Sequence, residues 1–162
     1  MEPTEIQKEI INYDGNTAIL ASPGSGKTYV ISEKIKRILK DDNLHPYQGV
    51  VAISYTRKAS AHLKRRTLGE GISPKNSFFG TIDNFCLTQI ILHFGFYVFG
   101  HPKKELEVIG INDLGSNKRA TFNWITTKHP DYKDIDAHNW DQIKKLYRYG
   151  YVLVESLELL SL

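Results

Sequence analysis

The chain has 162 residues, 41% hydrophobic and 24% charged, the balance of a protein that buries a core rather than of a disordered chain. Its net charge is +3, from 21 Lys plus Arg against 18 Asp plus Glu, which is too small to imply a polyanionic partner by itself. His93 and Gly95 interrupt the longest apolar run before it reaches 18 residues, so no membrane span and no membrane partner are expected.

At the start, Met1 is followed by Glu2, Pro3, Thr4 and Glu5 rather than by a cationic and then apolar run, so no secretory signal is expected. The sole cysteine, Cys86, can form no internal disulfide, and a reducing cytoplasm is the expected location. Residues 17–21 are a short apolar run ending in Ser22-Pro23-Gly24-Ser25-Gly26, which predicts a buried strand entering a glycine loop. A helix over 27–40 follows. Val30, Ile31, Ile35, Ile38 and Leu39 keep helical spacing, Lys34, Lys36, Arg37 and Lys40 take the other side, and Asp41, Asp42, Asn43 and Pro46 stop it.

Residues 50–53 form a second apolar strand, and Thr56 can cap a helix beginning at Arg57. The polar stretch 69–77, with Gly71 and Pro74, reads as a loop. A third strand over 78–80 leads to Thr81, which can cap a helix through Phe85, Leu87, Ile90 and Ile91. Three alternations of strand and helix predict an α/β fold, a parallel sheet covered by helices.

Beyond Gly100 the pattern changes. A strand is possible over 105–109, and helices are expected over 117–128 and 140–162, so this part reads as a helical annex rather than more of the alternating sheet. The expected division is therefore 1–100 and 101–162. Residues 151–162 form an apolar tail with no terminating signal, which suggests a chain cut from a longer protein, a buried terminal helix being the alternative.

The segment that carries chemistry is Ala21-Ser22-Pro23-Gly24-Ser25-Gly26-Lys27-Thr28, which fits the phosphate-loop pattern and lies between a predicted strand and a predicted helix. Gly24 and Gly26 let backbone N–H groups turn inward around a phosphate, and the following helix adds the positive end of its dipole. Lys27 would bridge the β- and γ-phosphates, and the Thr28 hydroxyl would complete a Mg²⁺ shell brought in with ATP. A dinucleotide fingerprint would need a third glycine where Tyr29 stands. The six histidines show no ligand spacing, so no zinc site is expected. Between Asp42 and Glu70 there is no acidic residue, while Arg57, Lys58, Lys64, Arg65 and Arg66 fall inside that span. Such a stretch reads as a nucleic-acid face or as a merely solvated helix.

Taken together with Gln7, the stretch from Ala52 to Ala59 (AISYTRKA) and the stretch from Phe79 to Cys86 (FGTIDNFC), the loop resembles the first four motifs of UvrD/Rep-type superfamily 1 helicases, in order and spacing. The resemblance covers residues 3 to about 92. It implies the N-terminal part of a RecA-like P-loop NTPase domain, with the part after 100 standing where these helicases insert a helical subdomain. It assigns Gln7 to adenine, with a Thr4–Gln7 capping box as the other reading of the same residue. The loop residues 21–28 and Tyr29, which replaces a common arginine, would hold the nucleotide, with Lys27 and Thr28 catalytic. Ser54, Tyr55, Thr56, Arg57, Lys58, Thr81 and Asn84 would contact single-stranded DNA.

Each DNA assignment keeps an alternative: Tyr55 packed in the core, Thr81 a plain helix cap. Asp83 stands where the family has histidine, and its charge would repel phosphate. The family also uses an Asp-Glu pair on a later strand and arginines from a second RecA-like domain. No apolar strand followed by Asp-Glu occurs here, so this chain alone is expected to bind ATP without hydrolysing it, while the parent protein couples hydrolysis to translocation and unwinding. Rival readings are a noncatalytic P-loop module that binds nucleic acid or protein, and a small P-loop kinase.

Overall fold

A computed structural model of the chain describes residues 2–69, 71–110, 127 and 138–157. It divides into two compact units, Met1–Thr81 and Ile82–Leu162.

The first unit opens with α1 (Glu5–Asn12), started by a complete capping box: Thr4 Oγ1 accepts from the Gln7 N–H, and Gln7 Oε1 accepts from the Thr4 N–H. α2 (Lys27–Leu39) follows the glycine loop and buries Val30, Ile35 and Leu39 along one stripe. The two helices are joined by Lys34, whose ammonium donates to the carbonyls of Ile10 and Tyr13, and by an ion pair between Arg37 and Asp14. A hydrogen bond from Arg37, and then its charge, hold the Asp14 carboxyl below the usual carboxylate range. β1 (Val51–Ile53) leads through Thr56 into α3 (Arg57–Leu68), and β2 (Phe78–Gly80) returns parallel to β1 in the register Val51↔Phe78, Ala52↔Phe79, Ile53↔Gly80. A parallel pair needs a crossover of this kind, because its strands start from the same end. The ladder is extended by Phe78 N donating to Val50 O and Ser54 N donating to Gly80 O, both at 2.9 Å.

The strand expected over 17–21 does not form: these residues pair with no strand, and Leu20 is 97% exposed. An apolar run becomes a strand only where a neighbour supplies the ladder, and among the described residues β1 and β2 pair only with each other. One face of β1 is also open, with Val51 56% and Ile53 45% exposed.

The second unit begins with α4 (Ile82–Phe85), continues through a π-helical stretch (Cys86–Ile91) into α5 (Leu92–Phe99), and then gives β3 (Glu107–Ile109), α6 (Trp140–Arg148), β4 (Tyr151–Leu153) and a 3₁₀ turn (Val154–Ser156). Cys86, Ile91, Phe99, Ile143, Tyr147, Val152 and Leu157 share one buried cluster; Ile109, Leu146, Tyr151 and Leu153 share another. Gly95 lets the Tyr147 ring lie against the helix, since a Cβ there would fall 2.7 Å from the tyrosine oxygen.

Three expectations are corrected in this unit. The helix expected over 140–162 ends at Arg148, because Gly150 takes a left-handed conformation (φ 88°) and Tyr-Val-Leu then pairs as a fully buried strand. β3 and β4 are parallel, in the register Glu107↔Tyr151, Val108↔Val152, Ile109↔Leu153, so the part after Gly100 is not a purely helical annex. The apolar stretch is longer than expected: the continuous helix Ile82–Phe99 is long and apolar enough to cross a membrane by length and composition only, because His93 and Gly95 do not lower its average hydropathy enough, and a core helix can meet the same criterion. Cys86, Ile91 and Phe99 of this helix are buried in the unit's core, while Leu92, Phe94, Tyr97 and Val98 are exposed. Of the helix expected over 117–128 only Thr127 is described; the rest lies outside the described residues, as do residues 158–162.

Candidate nucleotide and nucleic-acid site

The glycine loop takes the shape its spelling requires. Gly24 and Gly26 both adopt left-handed backbone (φ 80° and 84°), which L side chains rarely do, and Ser25 N closes a turn on Ser22 O at 3.3 Å. Gly26 is the N-cap of α2 and offers no side-chain cap, and the first turn holds no acidic residue. The leading N–H groups of a helix have no intrahelical partner, so an uncapped start with a positive dipole end is suited to an anion. Lys27, half-buried, folds back over the loop and donates from Nζ to Ala21 O and Ser22 O, each at 2.6 Å; Thr28 is exposed beside it. The loop therefore brings two left-handed glycines, a lysine ammonium and an exposed threonine hydroxyl together at the start of α2.

Gln7 serves as the N3 residue of the capping box and also reaches the loop, donating from Nε2 to Ser25 O at 3.3 Å. A Cβ on Gly26 would stand 3.1 Å from that same nitrogen. The capping reading of Gln7 is thus realised, and the side chain lies at the phosphate loop as well. On α3, Arg66 stands over the Tyr29 ring with its guanidinium carbon 5.2 Å from the centroid. Neither long-range contact was visible in the sequence.

At the end of β1 the expectations divide. Tyr55 is 97% exposed, which removes the alternative of a core tyrosine. Ser54 is half-buried and tied to the ladder through its N–H, and Thr56 caps α3 by accepting from Ala59 N at 3.1 Å. Arg57, Lys58, Lys64, Arg65 and Arg66 are all exposed. Arg57 and Lys58 occupy the first turn of α3, which carries no acidic residue. Cations at a helix N-terminus oppose the dipole, and residues placed against a local rule are where binding sites are to be sought. Thr81, by contrast, is 9% exposed, at the end of the first unit. Asn84 is exposed on α4 of the second unit, where its carbonyl accepts from Thr88 Oγ1 at 2.7 Å, and Asp83 is exposed next to it.

The profile described as the UvrD/REP helicase N-terminal domain matches residues 3–149. The chain is 35% identical over 140 residues to a probable DNA helicase II homolog of Mycoplasma capricolum, covering 86% of this chain and 18% of that protein. It is 34% identical over 95 residues to the Gabija protein GajB of Bacillus cereus, covering 59% and 18%, and 27% identical over 115 residues to the ATP-dependent DNA helicase SRS2 of Saccharomyces cerevisiae, covering 62% and 9%. The chain thus spans less than a fifth of the length of the curated relatives it matches.

Proposed function

This chain belongs to the UvrD/REP helicase N-terminal domain family, and from that premise we propose that it forms the ATP-binding entry segment of a DNA helicase whose parent couples ATP hydrolysis to movement along single-stranded DNA. The observation that carries the nucleotide half is the uncapped start of α2 behind two left-handed glycines, with the Lys27 ammonium held over the loop. In this reading Lys27 leaves the Ala21 and Ser22 carbonyls for the nucleotide's outer phosphates, and the backbone N–H groups of Gly24 through Thr28 wrap them. Thr28 supplies one oxygen to the magnesium ion that accompanies ATP and neutralises its charge. In the same reading Gln7, which bonds to Thr4 N and Ser25 O, would read the adenine with the donor and acceptor capacity that those bonds leave over.

The DNA half rests on Tyr55, fully presented at the end of β1, and on the Arg57 and Lys58 charges beside it. The ring supplies a stacking platform and the cations a sequence-independent hold on phosphate. Binding without turnover is proposed for the chain alone, since no Asp-Glu dipeptide occurs in its sequence to polarise an attacking water.

Calorimetric titration of Mg-ATP tests the nucleotide reading. Measurable binding by the wild type and its loss in Lys27→Ala are expected. Equal affinity in the two proteins would overturn the assignment of the loop, and steady-state phosphate release by the purified chain above that of Lys27→Ala would overturn binding without turnover.

A further inference from the structure

The first turn of α2, which carries Lys27, Thr28 and Tyr29, begins on a left-handed glycine with no side-chain cap and is closed by the backbone bond from Val30 N to Gly26 O at 3.0 Å. Contacts from two other helices are added to it. Gln7 on α1 donates to the Ser25 carbonyl just ahead of it. The second contact comes from α3, where Arg66 places its guanidinium over the Tyr29 ring. Tyr29 is half-buried, and its own carbonyl accepts from Ser32 Oγ at 2.8 Å, so a constraint on the ring is passed to the backbone of the turn. Arg66 lies in the last turn of α3, where the helix dipole favours a cation.

We propose that Arg66 is a positioning residue for the nucleotide: by packing on Tyr29 it fixes the first turn of α2 in the geometry that receives the phosphates. The inference rests on the phosphate-loop reading above. It separates Arg66 from the other charges of the same basic helix, so that Arg57 and Lys58 at one end serve nucleic acid while Arg66 at the other steadies the ATP loop. A cation over an aromatic face at a partly exposed site is worth about a two- to fivefold change in an equilibrium constant. A group that is already ordered before its ligand arrives converts that stability into affinity.

The test is a double-mutant cycle read by calorimetric titration of Mg-ATP. Arg66→Ala and Tyr29→Leu are each expected to weaken binding, Arg66→Ala by about two- to fivefold, and the double variant is expected to bind no worse than the weaker single one. In a Tyr29→Phe background, which keeps the ring, Arg66→Ala should cost the same factor as in the wild type. A general loss of structure would not reproduce that pattern. Should Arg66→Ala fail to fold, Arg66→Gln, which keeps the aliphatic stem and removes the cation, is expected to show the same loss. Unchanged affinity in Arg66→Ala or Arg66→Gln, or losses that multiply in the double variant, would overturn the inference. If Lys27→Ala loses binding while the Arg66 variants do not, this inference alone fails; if Lys27→Ala binds as well as the wild type, the phosphate-loop reading fails and takes this inference with it.

Discussion

Replacing Tyr55, Arg57 and Lys58 by alanine separates two kinds of contact with single-stranded DNA. Tyr55 is 97% exposed and makes no packing that its removal would disturb, so Tyr55→Ala should change stability by no more than about 0.5 kcal/mol. Its loss should remove one base stack, worth roughly 1–3 kcal/mol, or about a five- to 150-fold loss of affinity at any one salt concentration. Stacking releases no counterion, so the salt dependence of binding should stay as in the wild type. Arg57→Ala and Lys58→Ala should each flatten the plot of log affinity against log salt by about 0.7, the value for one phosphate contact on a single strand. They should also make the protein slightly more stable at low salt, because each removes a cation from the start of α3, a gain of about a few tenths of a kcal/mol. Fluorescence anisotropy with a labelled oligonucleotide at several salt concentrations, paired with urea unfolding, reads both quantities. Equal binding by the wild type and the triple alanine variant would refute the DNA assignment of this motif, and a loss of stability in Arg57→Ala and Lys58→Ala would refute the electrostatic reasoning.

Gly150→Ala forces a β-carbon to within 2.4 Å of Lys104 Cγ at a left-handed position, and should lower the stability of the second unit by about 1–2 kcal/mol, measured by urea unfolding followed at Trp140. Asp14→Asn removes a carboxylate whose affinity for protons is lowered by Arg37. A depressed folded value means that the ion pair stabilises the folded form above the ordinary carboxylate range and that this contribution is lost as pH falls through the depressed value. The wild type should therefore unfold at a higher temperature than Asp14→Asn at pH 7, with the difference closing in acid and shrinking in high salt; a difference that persisted in acid would refute the role of the pair.

How much could be read from the sequence depended on how local each signal was. The α2 stripe, the Thr56 cap and the two strands around α3 are written in adjacent residues, and they form as spelled. The left-handed turns of the glycine loop are also local, since Gly24 and Gly26 themselves permit them. What depended on a distant partner was read less well. Residues 17–21 have a strand's composition but lack a ladder neighbour among the described residues, and the 151–153 run has an apolar helix's composition but lies opposite β3. Gly150 is the local stop signal between α6 and β4, a left-handed glycine just past the end of α6. In the candidate site, Tyr55 is 97% exposed and Thr81 9%, a contrast that their comparable places in the two motifs do not predict. The contacts Gln7–Ser25 and Arg66–Tyr29 join positions that no periodicity connects.

The pairing of β3 with β4 also sets an order of events during synthesis. The first unit can close once β2 has emerged, but the cover for Cys86, Ile91 and Phe99 comes from Ile143, Tyr147, Val152 and Leu157, which are made much later. At translation rates of about 5–20 residues per second, the helix Ile82–Phe99 waits roughly 3–12 s for these partners. During that interval a stretch with the length and composition of a membrane span displays its future interior as well as Leu92, Phe94, Tyr97 and Val98. In this window, before Leu157 is in place, that apolar surface is open to capture by chaperones or by other nascent chains.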